Sequence, residues 1–188
     1  ATQHILACID GSAVTESICG YAAWYANRLS LPVALLNTIE VPASVRRDLS
    51  GSIGVDSRQI LLQELSEIDE RRARVANNYS AALVNDAKSY INSHFDVAVD
   101  IYQRHSKLLP AIEHFSDMNR AIVMGRRGED HKNSRINIGS QIETVARASN
   151  VPILICSEPF QEPSSYMIAF DASKTAIKVI KRIAKSEV

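Results

Sequence analysis

Short apolar runs in this chain are bounded by turn residues and separated by stretches of helical periodicity, and that alternation leaves few folds open. Residues 4–9 (HILACI), 33–39 (VALLNTI), 121–124 (AIVM) and 151–156 (VPILIC) are apolar at nearly every position, which suits strands covered on both faces, as in a parallel sheet. Residues 97–102 (VAVDIY) alternate instead and add a further strand. Between the first two runs, Val14, Ile18, Ala22, Tyr25 and Leu29 fall on one stripe, widened by Tyr21 and Ala26, so that residues 13–29 are predicted to form an amphipathic helix. A longer helical pattern carries Leu61, Leu65, Ile68, Val75, Tyr79, Leu83, Ala87 and Tyr90, interrupted near Arg72; its first turns are expected to project past the sheet. Residues 108–115, with Pro110 early, and 140–148 (SQIETVARA) supply two more helices. Strands alternating with helices predict a parallel sheet with helices on both faces and right-handed crossovers.

Local signals refine the boundaries. Ser12 is placed to cap the first helix, and Ser140 with Glu143 three residues on has the pattern of a capping box. Residues 42–58, with Gly51, Gly54 and scattered polar side chains, read as a mobile surface loop.

Whole-chain properties exclude several classes of function. The 188 residues are 46% hydrophobic, enough for one well-packed unit with material left over. Twenty-one basic residues balance 21 acidic ones, so no overall field draws the molecule to nucleic acid or anionic lipid, and any anion site must be local. Cys8, Cys19 and Cys156 make no metal or disulfide spacing and are expected to be reduced packing groups. His4, His94, His105 and His114 lack the company of metal ligands, so they read as ordinary surface or capping residues and no metal site is expected. The first residues lack a charged, long-apolar secretion signal and no run is long enough to span a membrane, which makes the cytoplasm the expected location.

The chain also restarts itself. Residues 6–12 (LACIDGS) and 167–173 (MIAFDAS) share a strand-like run, an Asp, a small residue and a Ser at constant offset, each followed by helical spacing, here Ile177, Ile180, Ile183 and Ala184. Residues 1–157 are therefore expected to be one domain, 158–165, with two prolines, a linker, and 166–188 the opening strand and helix of a second repeat. The plainer alternative is a final strand and helix docked on the first domain.

In open parallel sheets a ligand crevice lies at the carboxyl ends of the strands, where the chain order reverses. Asp10-Gly11-Ser12, Thr38-Ile39-Glu40 and Gly125-Arg126-Arg127-Gly128 all stand at such ends. The last opens the stretch 125–140 (GRRGEDHKNSRINIGS), which concentrates Arg126, Arg127, His131, Lys132 and Arg135 against Glu129 and Asp130. Its glycines 125, 128 and 139 let backbone approach a ligand, and the helix start at Ser140 offers N–H groups to a phosphate.

Gly125-x-x-Gly128, a spacer and then Gly139-Ser140, between AIVM and VARASNVPILIC, resembles the nucleotide-binding loop of universal stress proteins, and ILACIDGS with its helix is similar to that family's first strand and helix. The resemblance spans about residues 3–157, although the spacer 129–138 is one residue longer than in the family's ATP-binding pattern. It implies an open five-stranded sheet of order 3-2-1-4-5 of the adenine nucleotide alpha hydrolase-like type. It also implies ATP as ligand, with magnesium accompanying the phosphates. Carried over residue by residue, it sets Cys8, Ile9 and Asp10 beside adenine and ribose, Thr38 along the adenine pocket, Met124, Gly125, Arg127 and Gly128 around ribose and first phosphate, and Gly139, Ser140 and Gln141 at the outer phosphates. The expected function is a cytoplasmic, stress-associated ATP-binding protein with hydrolysis slow or absent, since no positioned base stands out. Two rivals are a nucleotide-free module that forms dimers or pairs repeats through the fifth strand, and an adenine-nucleotide hydrolase or transferase.

Overall fold

The apolar runs become the strands of one sheet, and their two-residue alternation decides which helices cover which face. The protein is described from a computed structural model covering residues 2–40, 55–126, 140–157 and 159–184, with backbone alone at 55–58 and 140. In chain order the elements are β1 (His4–Cys8), α1 (Thr15–Arg28), β2 (Val33–Thr38), α2 (Val55–His94), β3 (Val99–Arg104), α3 (Leu108–His114), β4 (Asn119–Gly125), α4 (Ser140–Ala148), β5 (Ile153–Cys156) and α5 (Lys174–Ile183). The sheet has the order β3-β2-β1-β4-β5 and every pairing is parallel.

β1 lies at the centre, with Cys8 in register with Leu36 on one side and Met124 on the other. Ile5, Ala7, Ile9, Val33, Leu35 and Val123 meet α1 and α2 on one face; Leu6, Cys8, Ala34, Leu36, Ile122 and Met124 meet α3 and α4 on the other. Burying a side chain such as Ile5 or Leu6 contributes about 1.5–3 kcal/mol, and both are fully buried. The small residues Gly20, Ala22, Ala23 and Ala26 let α1 lie close on the sheet, and Phe160 fills the space beside Gly20, edge-on to Tyr21. Ser17 Oγ donates to the Ser157 carbonyl at 2.8 Å, so the chain leaving β5 runs along α1.

Several expectations change. Residues 55–58, read as loop, are helical: no glycine or proline occurs between Gly54 and Pro110. Residues 42–54 lie outside the described residues. Ser12 does not cap α1; its carbonyl accepts from Thr15 N–H at 3.0 Å in a turn that precedes the helix, and Val14 occupies the cap position. Glu143 pairs with Arg147 at 2.8 Å, while the capping box expected at Ser140 involves a side chain outside the described residues. His4 is no surface residue. It is 3% exposed, with Nε2 2.9 Å from Asn119 Oδ1, because the strand's first position lies under Phe115 and Tyr102. Residues 166–170 make no strand pairing; no neighbouring strand stands beside them among the described residues.

Burial pushes the His4 imidazole below its ordinary value of 6.5, against weaker upward pulls from the Asn119 hydrogen bond and the Asp100 carboxylate. The unfolded chain therefore takes up this proton more readily than the folded one, so His4 contributes stability above pH 6.5 that is lost as pH falls below it. Urea unfolding of the protein and of His4→Gln between about pH 8 and pH 5 should show this component in the former and not in the latter.

Candidate functional site

β1 and β4 are adjacent, yet the chain leaves β1 toward α1 on one face and β4 toward α4 on the other. The cleft between their carboxyl ends is the switch point at which such sheets receive ligands. Extending the register two residues past Cys8, Leu36 and Met124 sets Asp10 between Thr38 and Arg126.

The first turn is built tightly. Asp10 Oδ1 accepts from Ser12 N–H at 3.0 Å, and Gly11 has φ +79°, a conformation that L side chains rarely adopt. The Tyr79 hydroxyl from α2 lies where a Gly11 Cβ would be. Behind the turn, Ile9 N–H donates to the Leu36 carbonyl at 2.9 Å, and the Ile9 carbonyl accepts from Asn37 Nδ2 at 2.8 Å. Asn37 Oδ1 in turn accepts from Ser80 Oγ, which accepts from Gln103 Nε2 at 2.7 Å. This chain across β3, α2 and β2 satisfies the buried amide of Asn37 and fixes the end of β1.

Two hydroxyls of the turn are left over: Ser12 Oγ and Thr15 Oγ1 are buried without a hydrogen-bond partner. An unsatisfied buried hydroxyl costs about 1–3 kcal/mol, a cost that a polar ligand reaching these two groups would offset. Hydroxyl groups beside a tight turn suit an anionic, oxygen-rich ligand such as a nucleotide phosphate.

Of the residues singled out by sequence, Asp10, Thr38 and Gly125 stand at the adjoining strand ends, and Gln141, in the first turn of α4, is exposed. Ile9, Cys8 and Met124 are core residues beneath it, 3%, 8% and 4% exposed. Gly125 pairs with Cys156, and Arg126 N–H donates to the Cys156 carbonyl at 2.8 Å. Arg127, Gly128, Gly139 and the side chain of Ser140 lie outside the described residues. Burial pushes the Cys8, Cys19 and Cys156 thiols up to about 12, with Asp10 adding to the effect at Cys8 and Glu16 at Cys19. These thiols are packing groups without nucleophilic character near neutrality. Among the described residues no group of three His, Cys, Asp or Glu side chains could hold a metal ion.

Asn37, Ser80, Gln103 and Thr15 were not singled out by sequence, and Tyr79 was read only as part of a helix stripe. Asn37 alone carried a signal, as the one amide in an apolar strand; the others depend on which turn of α2 or which strand faces the cleft.

The universal stress protein family model matches residues 1–157. The chain belongs to the universal stress protein family. A universal stress protein of Synechocystis sp. is 26% identical over 187 residues, 98% of this chain, and the chain spans 65% of that relative's length. Among solved structures, the Archaeoglobus fulgidus universal stress protein aligns with TM-score 0.51 at 17% identity, covering 81% of this chain and 92% of its own. UspA of Lactobacillus plantarum aligns with TM-score 0.52 at 14% identity over 84% of this chain and 99% of its own. A universal stress protein in complex with cAMP aligns with TM-score 0.53 at 15% identity over 83% and 97%. The family's fold is thus the one observed here, with the order 3-2-1-4-5.

A Cβ at position 11 would be strained by φ and would collide with the Tyr79 hydroxyl. Gly11→Ala should cost about 1–2 kcal/mol from backbone strain, plus the displacement of Tyr79. Chemical denaturation of Gly11→Ala in the background of Tyr79→Ala should recover the steric part and leave the backbone part.

Proposed function

We propose that the chain is a cytoplasmic, stress-associated protein that binds ATP, with magnesium on the phosphates, in the cleft between β1 and β4, and that hydrolysis is slow or absent. The observation that carries this reading is the pair of buried, partnerless hydroxyls, Ser12 Oγ and Thr15 Oγ1, in the turn after the central strand. Asp10 would accept from a ribose hydroxyl and Thr38 would line the adenine side. Gly125, Arg127, Gly128, Gly139, Ser140 and Gln141 would receive the phosphates, and Cys8, Ile9 and Met124 would form the floor. The related structure in complex with cAMP supports an adenine nucleotide as the ligand class.

Calorimetric titration with ATP, with and without magnesium, should give saturable, magnesium-dependent heat that Gly128→Val weakens. Ser12→Ala combined with Thr15→Val should weaken binding by about 10-fold or more while leaving the ligand-free protein as stable as before or more so, since each hydroxyl is unsatisfied there. No binding at millimolar ATP defeats the reading.

A nucleotide-free dimerisation module is the second reading. β5 is an edge strand and Ile155 on it is 45% exposed, so the fifth strand has an open edge for a second copy or repeat.

The segment after residue 157 supports a second repeat. Ser173 N–H donates to Asp171 Oδ1 at 2.9 Å, as Ser12 does to Asp10 at 3.0 Å, and Ala172 has φ +62° where Gly11 has +79°. A helix follows each turn. Tyr166, Met167, Ile168 and Phe170 are all exposed and α5 buries no residue, as the opening of a sheet would without its neighbouring strands. Hydrogen exchange should find the amides of 166–170 unprotected in the 188-residue chain, whereas protection equal to that of β1 would favour docking on the first domain.

A further inference from the structure

The first half of α2 is a helix without a surface to lie on. Tyr79 reaches Gly11 at the end of β1, so the 24 residues of α2 that precede it extend roughly 36 Å at 1.5 Å per residue. Only the later turns, at Ser80, Val84, Ala87 and Ile91, are buried against the sheet. In proteins most helical stability comes from packing of an amphipathic face rather than from propensity. The projecting half carries Leu61, Leu65, Ile68 and Val75, between 36% and 63% exposed, as one stripe.

The stripe has an unusual symmetry. Leu61, Leu65, Ile68, Arg72, Val75 and Tyr79 are separated by four, three, four, three and four residues, the seam spacing of a coiled coil. That series reads the same in both directions about position 70. The charges are divided at the same point: residues 60–70 hold Glu64, Glu67, Asp69 and Glu70 and no base, while 71–79 hold Arg71, Arg72 and Arg74 and no acid.

We infer that the projecting half of α2 is a self-association surface, on which the same segment of a second copy docks antiparallel about a two-fold axis near residue 70. In that register Leu65 meets Val75 of the second copy, Leu61 meets Tyr79, and Ile68 meets the stem of Arg72. Each acidic half lies on a basic half. A parallel pairing would set like charges side by side and is disfavoured. Because Tyr79 also touches the Gly11 turn, the first turns of the second copy's helix come to the rim of the nucleotide cleft. The inference stands on the helix alone and does not require that the cleft bind ATP.

The register is testable by cross-linking. Mixing Leu65→Cys protein with Val75→Cys protein under mild oxidation should give a disulfide-linked pair. Either variant alone should not, since its sulfurs would be about 15 Å apart along the helix. The native thiols Cys8, Cys19 and Cys156 are buried and do not compete. Leu65→Glu with Val75→Glu should halve the assembly mass seen by light scattering, with the melting temperature of the sheet domain kept. A monomer at high concentration, cross-linking of either single variant with itself, or an assembly mass unchanged by the two glutamates would each overturn the proposal.

Discussion

Everything in this molecule is arranged around a strand that can be neither edge nor surface. β1 is apolar at consecutive positions, so helices must cover both its faces, and it lies between β2 and β4, so both its edges are paired. The chain can leave such a strand only past its end. There Asp10, Gly11 and Ser12 turn it toward α1, and the neighbouring strand turns toward the opposite face. The cleft is thus a consequence of burial and chain order, and the same burial raises the Cys8 thiol beneath it.

What singles the cleft out as a candidate site is the treatment of polar groups around it. Asn37 occupies a position where an apolar side chain would pack, and a chain of hydrogen bonds through Ser80 and Gln103 holds it there to fasten the Ile9 carbonyl. That side of the turn is fully satisfied. On the other side Ser12 Oγ and Thr15 Oγ1 are not. Buried polar groups in folded proteins are as a rule hydrogen-bonded, so these two hydroxyls are the feature on which the proposed ligand site rests.

The strands, their parallel pairing and the covering helices were legible because the signal is local: both-face apolarity in HILACI and VALLNTI and a clean stripe in α1. The start of α2 was misread because Gly51 and Gly54 colour a window that also includes 55–58. The capping role given to Ser12 failed because the turn needs its main chain before the helix begins. His4 was misplaced since its burial depends on Asn119 and Phe115, more than a hundred residues away. The position of Asp10 in the cleft could be read from strand order, whereas the roles of Tyr79 and Ser80 require knowing how α2 is rotated.

The Asp-x-Ser turn occurs twice in the chain and the first half of α2 is exposed, and the proposed second repeat, self-association and nucleotide binding rest on these two features and on the cleft. Amide chemical-shift mapping on addition of magnesium ATP tests whether the cleft is the binding site. The account predicts that the largest changes fall on the turn from Asp10 to Thr15, on Gly125 and Arg126, and on the first turn of α4. Changes confined to other surfaces, or none, would contradict it.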